Sequence, residues 1–167
     1  DEDTALVVDE ANGLLANDTD TENNPLTVTE FEVGGNTFTA GTTVSLTEGT
    51  LTINANGSYT FTPAADYNGP VPQVTYTISD GTNTANATLD ITVNSVNDAP
   101  TAVADTNTTN EDTPLSVDAA NGILSNDSDL EGDTITVTAL SIGSTSYTVG
   151  DPIVLTEGTL TINSDGS

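Results

Sequence analysis

A long internal repeat sets the size of the folding unit in this chain. Residues 1–58 align without a gap on residues 110–167, at an offset of 109, and 31 of the 58 pairs are identical. The sequence LTEGTLTIN at 46–54, for example, recurs at 155–163. A solenoid repeat spans roughly 20–50 residues, so this period predicts one whole domain per copy. We therefore expect a first domain at 1–96, a linker at 97–100 and a second domain at 101–167.

Short alternating segments predict the secondary structure of each copy. Apolar and polar residues alternate with a period of two, threonine fills many of the outward positions, and no apolar stripe has helical spacing. Turn signals such as Asn-Gly, Gly-Gly and Asp-Gly separate the segments. This pattern predicts an all-β fold, a β-sandwich with Greek-key connections such as the immunoglobulin fold. The predicted strands are 26–33, 50–53, 59–61, 74–78 and 87–93.

The second copy has no residues that correspond to the later strands of the first. Position 58 of the first copy corresponds to Ser167, so the predicted strands at 59–61, 74–78 and 87–93 have no counterpart. A sandwich without these strands exposes apolar sheet faces and open strand edges. The sequence leaves two interpretations open. Either the half domain reflects where the segment is cut, or residues 58–96 of another copy complete it.

The charge of the chain is entirely acidic. It has 26 aspartates and glutamates, no lysine, arginine or histidine, and a net charge of −26. Contacts to nucleic-acid phosphates need basic side chains, and anionic lipid headgroups repel an acidic protein. No apolar run reaches about 18 residues, so membrane insertion is not predicted. Clustered carboxylates need a cation between them, and oxygen ligands select hard ions such as Ca²⁺. We therefore expect a calcium-binding extracellular protein, which also has no cysteine for disulfides.

Three acidic clusters are candidate calcium ligands. Asp18 and Asp20 lie in a loop that recurs with Asp127 and Asp129. A glutamate follows two residues after Asp20 and two residues after Asp129. Oxygens at i, i+2 and i+4 of a loop can converge on one ion, although such residues also cap turns. The recurrence favours the metal interpretation. The acidic segment 1–3, which is repeated in part at 110–112, is equally compatible with a solvated acidic turn. Taken alone, the linker pair at 97–98 favours a solvated acidic linker without a metal ion.

Several longer segments carry a family resemblance. The segments NEDTPLSV, NDSDLEGDT, GSYTFTPAADYNG, VTYTISDG and ATLDITVNSVNDAP occur in this sequence. Together they resemble the cadherin-like repeats of giant bacterial surface proteins, including VCBS-type repeats and type I-secreted adhesins. The resemblance covers the whole chain. It implies tandem sandwich domains whose carboxylates hold Ca²⁺ at the joint between consecutive domains.

The resemblance also implies which residues would hold the ions. Ser95 and Asn68 stand where cadherins usually have acidic residues, and this implies fewer or weaker ions per joint. By position, the resemblance implies that the calcium ligands of the joint within this chain are Glu2, Asp66, Asn97, Asp98, Asp127 and Asp129. The implied ligands of the joints before and after it are Asp18, Asp20 and Glu111.

Three functions follow from these observations, and an enzyme is disfavoured. The chain has no His, Cys or Lys to act as a base or nucleophile, and an active site is rarely duplicated in tandem. The first function is a calcium-rigidified structural extender of an adhesin on the bacterial cell surface, with neighbouring repeats of the same chain as partners. The second is a filament subunit that exchanges strands with other copies of itself. The third is a calcium-dependent carbohydrate-binding module, for which Tyr67 is the aromatic residue least expected in the core.

Overall fold

The computed structural model describes all 167 residues and divides them into two compact units, Asp1–Val96 and Asn97–Ser167. We refer to these as unit 1 and unit 2. The boundary lies where the sequence analysis places the end of the first domain, and the predicted linker at 97–100 falls within unit 2.

Unit 1 is built from two four-stranded antiparallel sheets and a short two-stranded one. The sheets have the strand orders β1-β6-β5-β4, β3-β2-β8-β9 and β10-β7. The strands are β1 (Leu6–Val8), β2 (Thr27–Val33), β3 (Asn36–Thr39), β4 (Thr43–Leu46), β5 (Gly49–Ile53), β6 (Tyr59–Pro63), β7 (Gly69–Pro70), β8 (Val74–Ser79), β9 (Thr84–Leu89) and β10 (Thr92–Val93).

The two larger sheets of unit 1 share one hydrophobic core. Leu51 and Phe61 of the first sheet and Phe31 and Val74 of the second all have 0% exposed surface and belong to a single apolar cluster. Their neighbours in sequence are largely threonines, which the period of a strand places on the opposite face. This two-layer arrangement confirms the predicted all-β sandwich.

Four of the predicted strands in unit 1 lie within two residues of β2, β5, β6 and β8. The prediction of one strand at 87–93 is wrong. β9 begins earlier, at Thr84, and ends at Leu89, and it pairs with β8. Thr92 and Val93 form a separate strand, β10, which pairs with β7. The alternation continues through this change of partner, so the sequence pattern alone does not reveal it.

The first Asn-Gly signal forms a short 3-10 helix and not a hairpin. Asp9 caps the helix at Glu10–Asn12 by accepting a hydrogen bond from the Asn12 N–H. Gly13 follows, and a Cβ there would overlap the carbonyl oxygen of Gly57. Because this close approach requires glycine, the signal has a packing function. Unit 2 repeats the arrangement with Asp118 and Gly122.

Unit 2 contains two hairpins, β11 (Leu140–Ile142) with β12 (Thr145–Tyr147) and β13 (Ile153–Val154) with β14 (Thr159–Leu160). Their registers reproduce those of unit 1. Ile153 pairs with Leu160 as Val44 pairs with Leu51, at the offset of 109. Strand pairs that are close in sequence are therefore present in both units.

The apolar side chains of unit 2 are more exposed than their counterparts. Leu160 is 36% exposed whereas Leu51 is 0% exposed, and Ile142 is 36% exposed whereas Val33 is 2% exposed. The reason is that the strands that cover Leu51 and Val33 lie after residue 58 in unit 1.

We predict that Phe61→Ala lowers the free energy of unfolding of unit 1 by about 3–5 kcal/mol, because it leaves a cavity in a closed core. Phe61 pairs with Leu6 of β1 on one side and Leu51 of β5 on the other. Native-state hydrogen exchange of the β5 and β8 amides measures the effect. Val7→Ala is the matched control, since Val7 is 71% exposed, and it should change stability by less than about 0.5 kcal/mol. Equal effects of the two substitutions would contradict the assignment of Phe61 to the core.

Candidate metal centre

Glu2 is the one charged side chain in the buried core of unit 1, with 1% exposed surface. Its Oε1 accepts a hydrogen bond from the Val96 N–H at 2.6 Å, and its Oε2 accepts one from Asn68 Nδ2 at 3.3 Å. The hydrogen bond from Val96 is the largest influence on the carboxyl group and lowers its pKa, although burial acts in the opposite direction. Glu2 is therefore held as a carboxylate.

Asp3, which follows Glu2 in the sequence, forms a close carboxylate pair with Asp66. Their carboxylate oxygens lie within 4.8 Å of each other, and the Asp66 N–H donates to Asp3 Oδ1 at 3.3 Å. Both residues have positive φ, 57° and 58°, a conformation that aspartate adopts more readily than most side chains. Like charges at this separation repel each other unless a cation lies between them. We call Asp3 and Asp66 the unit 1 pair.

Unit 2 also contains a close pair of carboxylates. The carboxylate oxygens of Asp98 and Glu131 lie within 4.8 Å of each other, and the Asp98 N–H donates to Glu131 Oε2 at 3.1 Å. Asn97 donates through Nδ2 to the backbone oxygen of Asp98 at 2.8 Å. We call Asp98 and Glu131 the unit 2 pair.

In the acidic loop of unit 1, one carboxylate accepts hydrogen bonds from the backbone, and an oxygen of a second carboxylate has no hydrogen-bond partner. Asp20 Oδ1 accepts from the N–H groups of Glu22 at 3.0 Å and Asn24 at 2.7 Å. Asp18 Oδ2 is buried without a hydrogen-bond partner. Both aspartates line a cavity of about 730 Å³. Asp18, Asp20 and Glu22 do not gather within 4.8 Å, so the expected convergence of the three carboxylates on one point is not seen in this loop.

The equivalent loop of unit 2 is held in a similar way. Asp129 Oδ1 accepts from the Asp133 N–H at 2.9 Å, as Asp20 does from the residue at the same position. Asp127 Oδ1 accepts from the Val103 N–H at 2.8 Å, and this contact ties the loop to the first residues of the second copy. These hydrogen bonds support the turn-capping interpretation of the loops and leave further carboxylate oxygens available as ligands.

The structure thus places the predicted ligands in separate groups within each unit. Asp66 pairs with Asp3 and Glu2 faces the Val96 N–H, whereas Asp18 and Asp20 line a cavity with other residues. Glu111, the counterpart of Glu2, is exposed in unit 2. In unit 1, the Val96 N–H binds the Glu2 carboxylate.

The sequence-based site did not include Asp3 and Glu131, although both lie in the acidic segments that the sequence analysis singles out. One signal was available for each. Asp3 recurs as Asp112 with the same positive φ, and Glu131 recurs as Glu22. What the sequence does not show is which backbone N–H each carboxylate faces.

The donor set fits a hard divalent cation. All the side-chain ligands are carboxylate or amide oxygens, and the chain has no imidazole or thiolate that would favour zinc or copper. No basic side chain exists to separate the paired carboxylates. Oxygen-rich, uncompensated pairs of this kind suit Ca²⁺ better than the softer metals.

Tyr67 is not an exposed aromatic platform for a sugar ring. Its side chain is half-buried and packs against the core, and its hydroxyl group donates to the carbonyl oxygen of Pro70 at 2.7 Å. The residue stabilises the turn before β7, and this leaves the carbohydrate interpretation without its expected aromatic contact.

Comparison with protein families covers nearly the whole chain. Residues 1–94 match the family model described as a cadherin-like domain, and residues 97–167 match the one described as a bacterial cadherin-like domain. No curated protein matches the chain. None of its helices has the length and apolar character needed to cross a membrane.

We predict that Asp66→Asn has effects of opposite sign with and without calcium. In a chelating buffer the substitution should stabilise unit 1 by roughly 0.2–1 kcal/mol, because it removes the repulsion with Asp3. With calcium it should destabilise, because a ligand is lost. Asparagine tolerates the positive φ at this position.

Thermal unfolding of both proteins in the two buffers measures this effect. Glu32→Gln is the control, because Glu32 is exposed on β2 and its removal changes the net charge equally. A shift of the same sign in both buffers would show that Asp3 and Asp66 do not share a cation.

Proposed function

Because the chain belongs to the cadherin-like family, we propose that it is a calcium-rigidified structural extender of a large, secreted adhesin on the bacterial surface. Cadherin-like domains are structural, adhesion-type extracellular repeats and are typically non-catalytic. The proposal adds to this class the ion, the mechanical role and the location.

One observation carries the proposal. Each unit holds a pair of carboxylates within 4.8 Å, Asp3 with Asp66 and Asp98 with Glu131, in a chain that has no basic side chain. In each pair, the backbone N–H of one residue donates to the carboxylate of the other and holds that carboxylate near its partner. An arrangement that concentrates negative charge without compensation is most easily explained as a binding site for a cation from solution.

The proposed role of the ion is mechanical. Glu2 is anchored to the backbone of Val96, at the end of unit 1, and the unit 2 pair begins two residues later with Asp98. Ca²⁺ supplies positive charge and several coordination positions to such oxygens. On this proposal it relieves the repulsion around residues 96–98 and restricts their bending, so that a series of repeats becomes a stiff rod.

We predict millimolar calcium binding that depends on the two carboxylate groups. Extracellular calcium modules have dissociation constants of about 10⁻⁴–10⁻³ M. At about 1 mM calcium, each site would then add roughly 0.4–1.4 kcal/mol of stability. Calorimetric titration should show that Asp3→Asn with Asp66→Asn, or Asp98→Asn with Glu131→Gln, weakens binding at least tenfold.

The control for this titration is Glu30→Gln with Glu32→Gln, which removes the same charge from the exposed positions of β2. A titration of Asp127→Ala with Asp129→Ala tests the acidic loop separately. Equal heats from wild type and all variants would refute the ligand assignment. Equal losses of calcium affinity from every pair of substitutions would show that binding depends only on the net charge.

We also predict that calcium stiffens the chain without being needed to fold unit 1. The core of unit 1 is closed by apolar contacts, so its circular dichroism spectrum should persist in chelator. Small-angle scattering should give a narrower distribution of dimensions with calcium than with chelator. If chelation leaves that distribution unchanged, or unfolds unit 1, calcium does not have the proposed mechanical role.

A further inference from the structure

The side chain of Asn68 helps to hold the buried Glu2 carboxylate in unit 1. Asn68 is exposed, and its Nδ2 donates to Glu2 Oε2 at 3.3 Å, whereas the Val96 N–H donates to Oε1 at 2.6 Å. The Glu2 N–H in turn donates to the carbonyl oxygen of Asn94 at 2.8 Å. Glu2 therefore ties the first residues of unit 1 to residues 94–96, and Asn68 supplies one of the donors that keep it in place.

Asn68 is followed by Gly69, and an asparagine in this context can lose its side-chain amide without an enzyme. The Gly69 nitrogen attacks the Asn68 Cγ and forms a C–N bond. The Cγ–Nδ2 bond breaks, and the side-chain nitrogen takes up the Gly69 proton and leaves as ammonia. Water then opens the cyclic imide and leaves a carboxylate at position 68, as aspartate or isoaspartate. Glycine favours the attack because no side chain shields its nitrogen, and Gly69 has a φ of 126°, which other residues rarely adopt.

Asn12 and Asn56 of unit 1 also precede glycines, but several hydrogen bonds hold each of them. The N–H and Nδ2 of Asn12 both donate to Asp9 in the 3-10 helix. Asn56 Oδ1 accepts from the N–H and hydroxyl of Ser58, and its Nδ2 donates to Glu10. At both places the N–H of the following glycine donates to a backbone carbonyl oxygen. Ring closure at Asn12 or Asn56 therefore requires several hydrogen bonds to break together.

Asn68 is less restrained than these two residues. Its side chain makes one hydrogen bond, the long one to Glu2, and it lies outside any helix or turn. Gly69 begins β7, a strand of two residues that pairs only with β10. Local opening costs least where few backbone hydrogen bonds must break, so the Gly69 nitrogen is released more easily than the nitrogens of the other two glycines.

We propose that Asn68 is a site of spontaneous deamidation, with water as the co-reactant, and that the modification loosens the end of unit 1. The reaction replaces an N–H donor with a carboxylate next to Glu2. The hydrogen bond at 3.3 Å becomes a contact between two negative charges, and the chain has no basic side chain to separate them. This repulsion weakens the contact of Glu2 with Val96. Residues 94–96 therefore lose order slowly and irreversibly as the protein ages.

The first test follows deamidation of the 167-residue chain in mildly alkaline chelating buffer, below its unfolding temperature. Mass spectrometry of chymotryptic peptides measures each site, and the same chain in urea gives the reference rates. Relative to these references, Asn68 should deamidate at least tenfold faster than Asn12 and Asn56. Asn68→Gln is the control, because it keeps an amide at position 68 and should leave the other two rates unchanged. Equal relative rates at the three sites would overturn the assignment.

The second test measures the consequence with Asn68→Asp, which carries the charge of the product from the start. In chelating buffer, hydrogen exchange of the Val96 amide should be at least tenfold faster than in the wild type, and aged wild-type protein should show the same change. Asn86→Asp adds an equal charge at an exposed position of β9 and should leave this exchange unaltered. Wild-type exchange in Asn68→Asp, or equal acceleration by Asn86→Asp, would refute the loosening. Neither test involves calcium, so their outcome is independent of its proposed mechanical role.

Discussion

Closure of the hydrophobic core depends on the pairing of β6 with β1 and β5. Phe61 at the centre of β6 is fully buried, and its partners Leu6 and Leu51 belong to strands on either side. Where this strand has no counterpart, as in unit 2, the equivalent of Leu51 is 36% exposed. The hairpins that correspond to β2–β3 and β4–β5 persist there, because the contacts within a hairpin are local. Core closure is thus a long-range property, set by a strand that is distant in sequence from one of its partners.

The same sequence has to place 26 carboxylates without a single basic side chain. Many aspartates are used to hold turns. Asp9 and Asp118 cap the 3-10 helices, and Asp80 accepts from the N–H groups at the β8–β9 turn, which lowers its pKa. Backbone N–H groups partly compensate these charges, as they do for buried Glu2. The proposed cation sites lie where two carboxylates face each other and the N–H of one residue donates to the carboxylate of the other.

Local patterns predicted much of the fold, and contacts distant in sequence account for what they missed. β2 and β8 follow from alternation, because side-chain alternation is a property of each segment alone. β1 has three residues and β7 has two, and both pair only with strands that are distant in sequence. No local pattern therefore predicts them. In the site, the resemblance predicts Glu2 as a ligand, and the hydrogen bond of Glu2 to Val96 depends on the end of the same unit. Pairing of Asp3 with a second carboxylate depends on two positive φ angles, which the sequence does not display.

Stiffness in such a chain has few possible sources. It has no cysteine for a disulfide and no lysine, arginine or histidine for a salt bridge between repeats. Hydrophobic contacts close the core of unit 1 but involve residues within that unit. Any attraction between a side-chain charge of this protein and an opposite charge must therefore involve an ion from solution, and its strength varies with the concentration of that ion. Under the proposed function, a repeat would remain flexible where calcium is scarce and would become rigid where calcium is abundant, with no change in its covalent structure or its core.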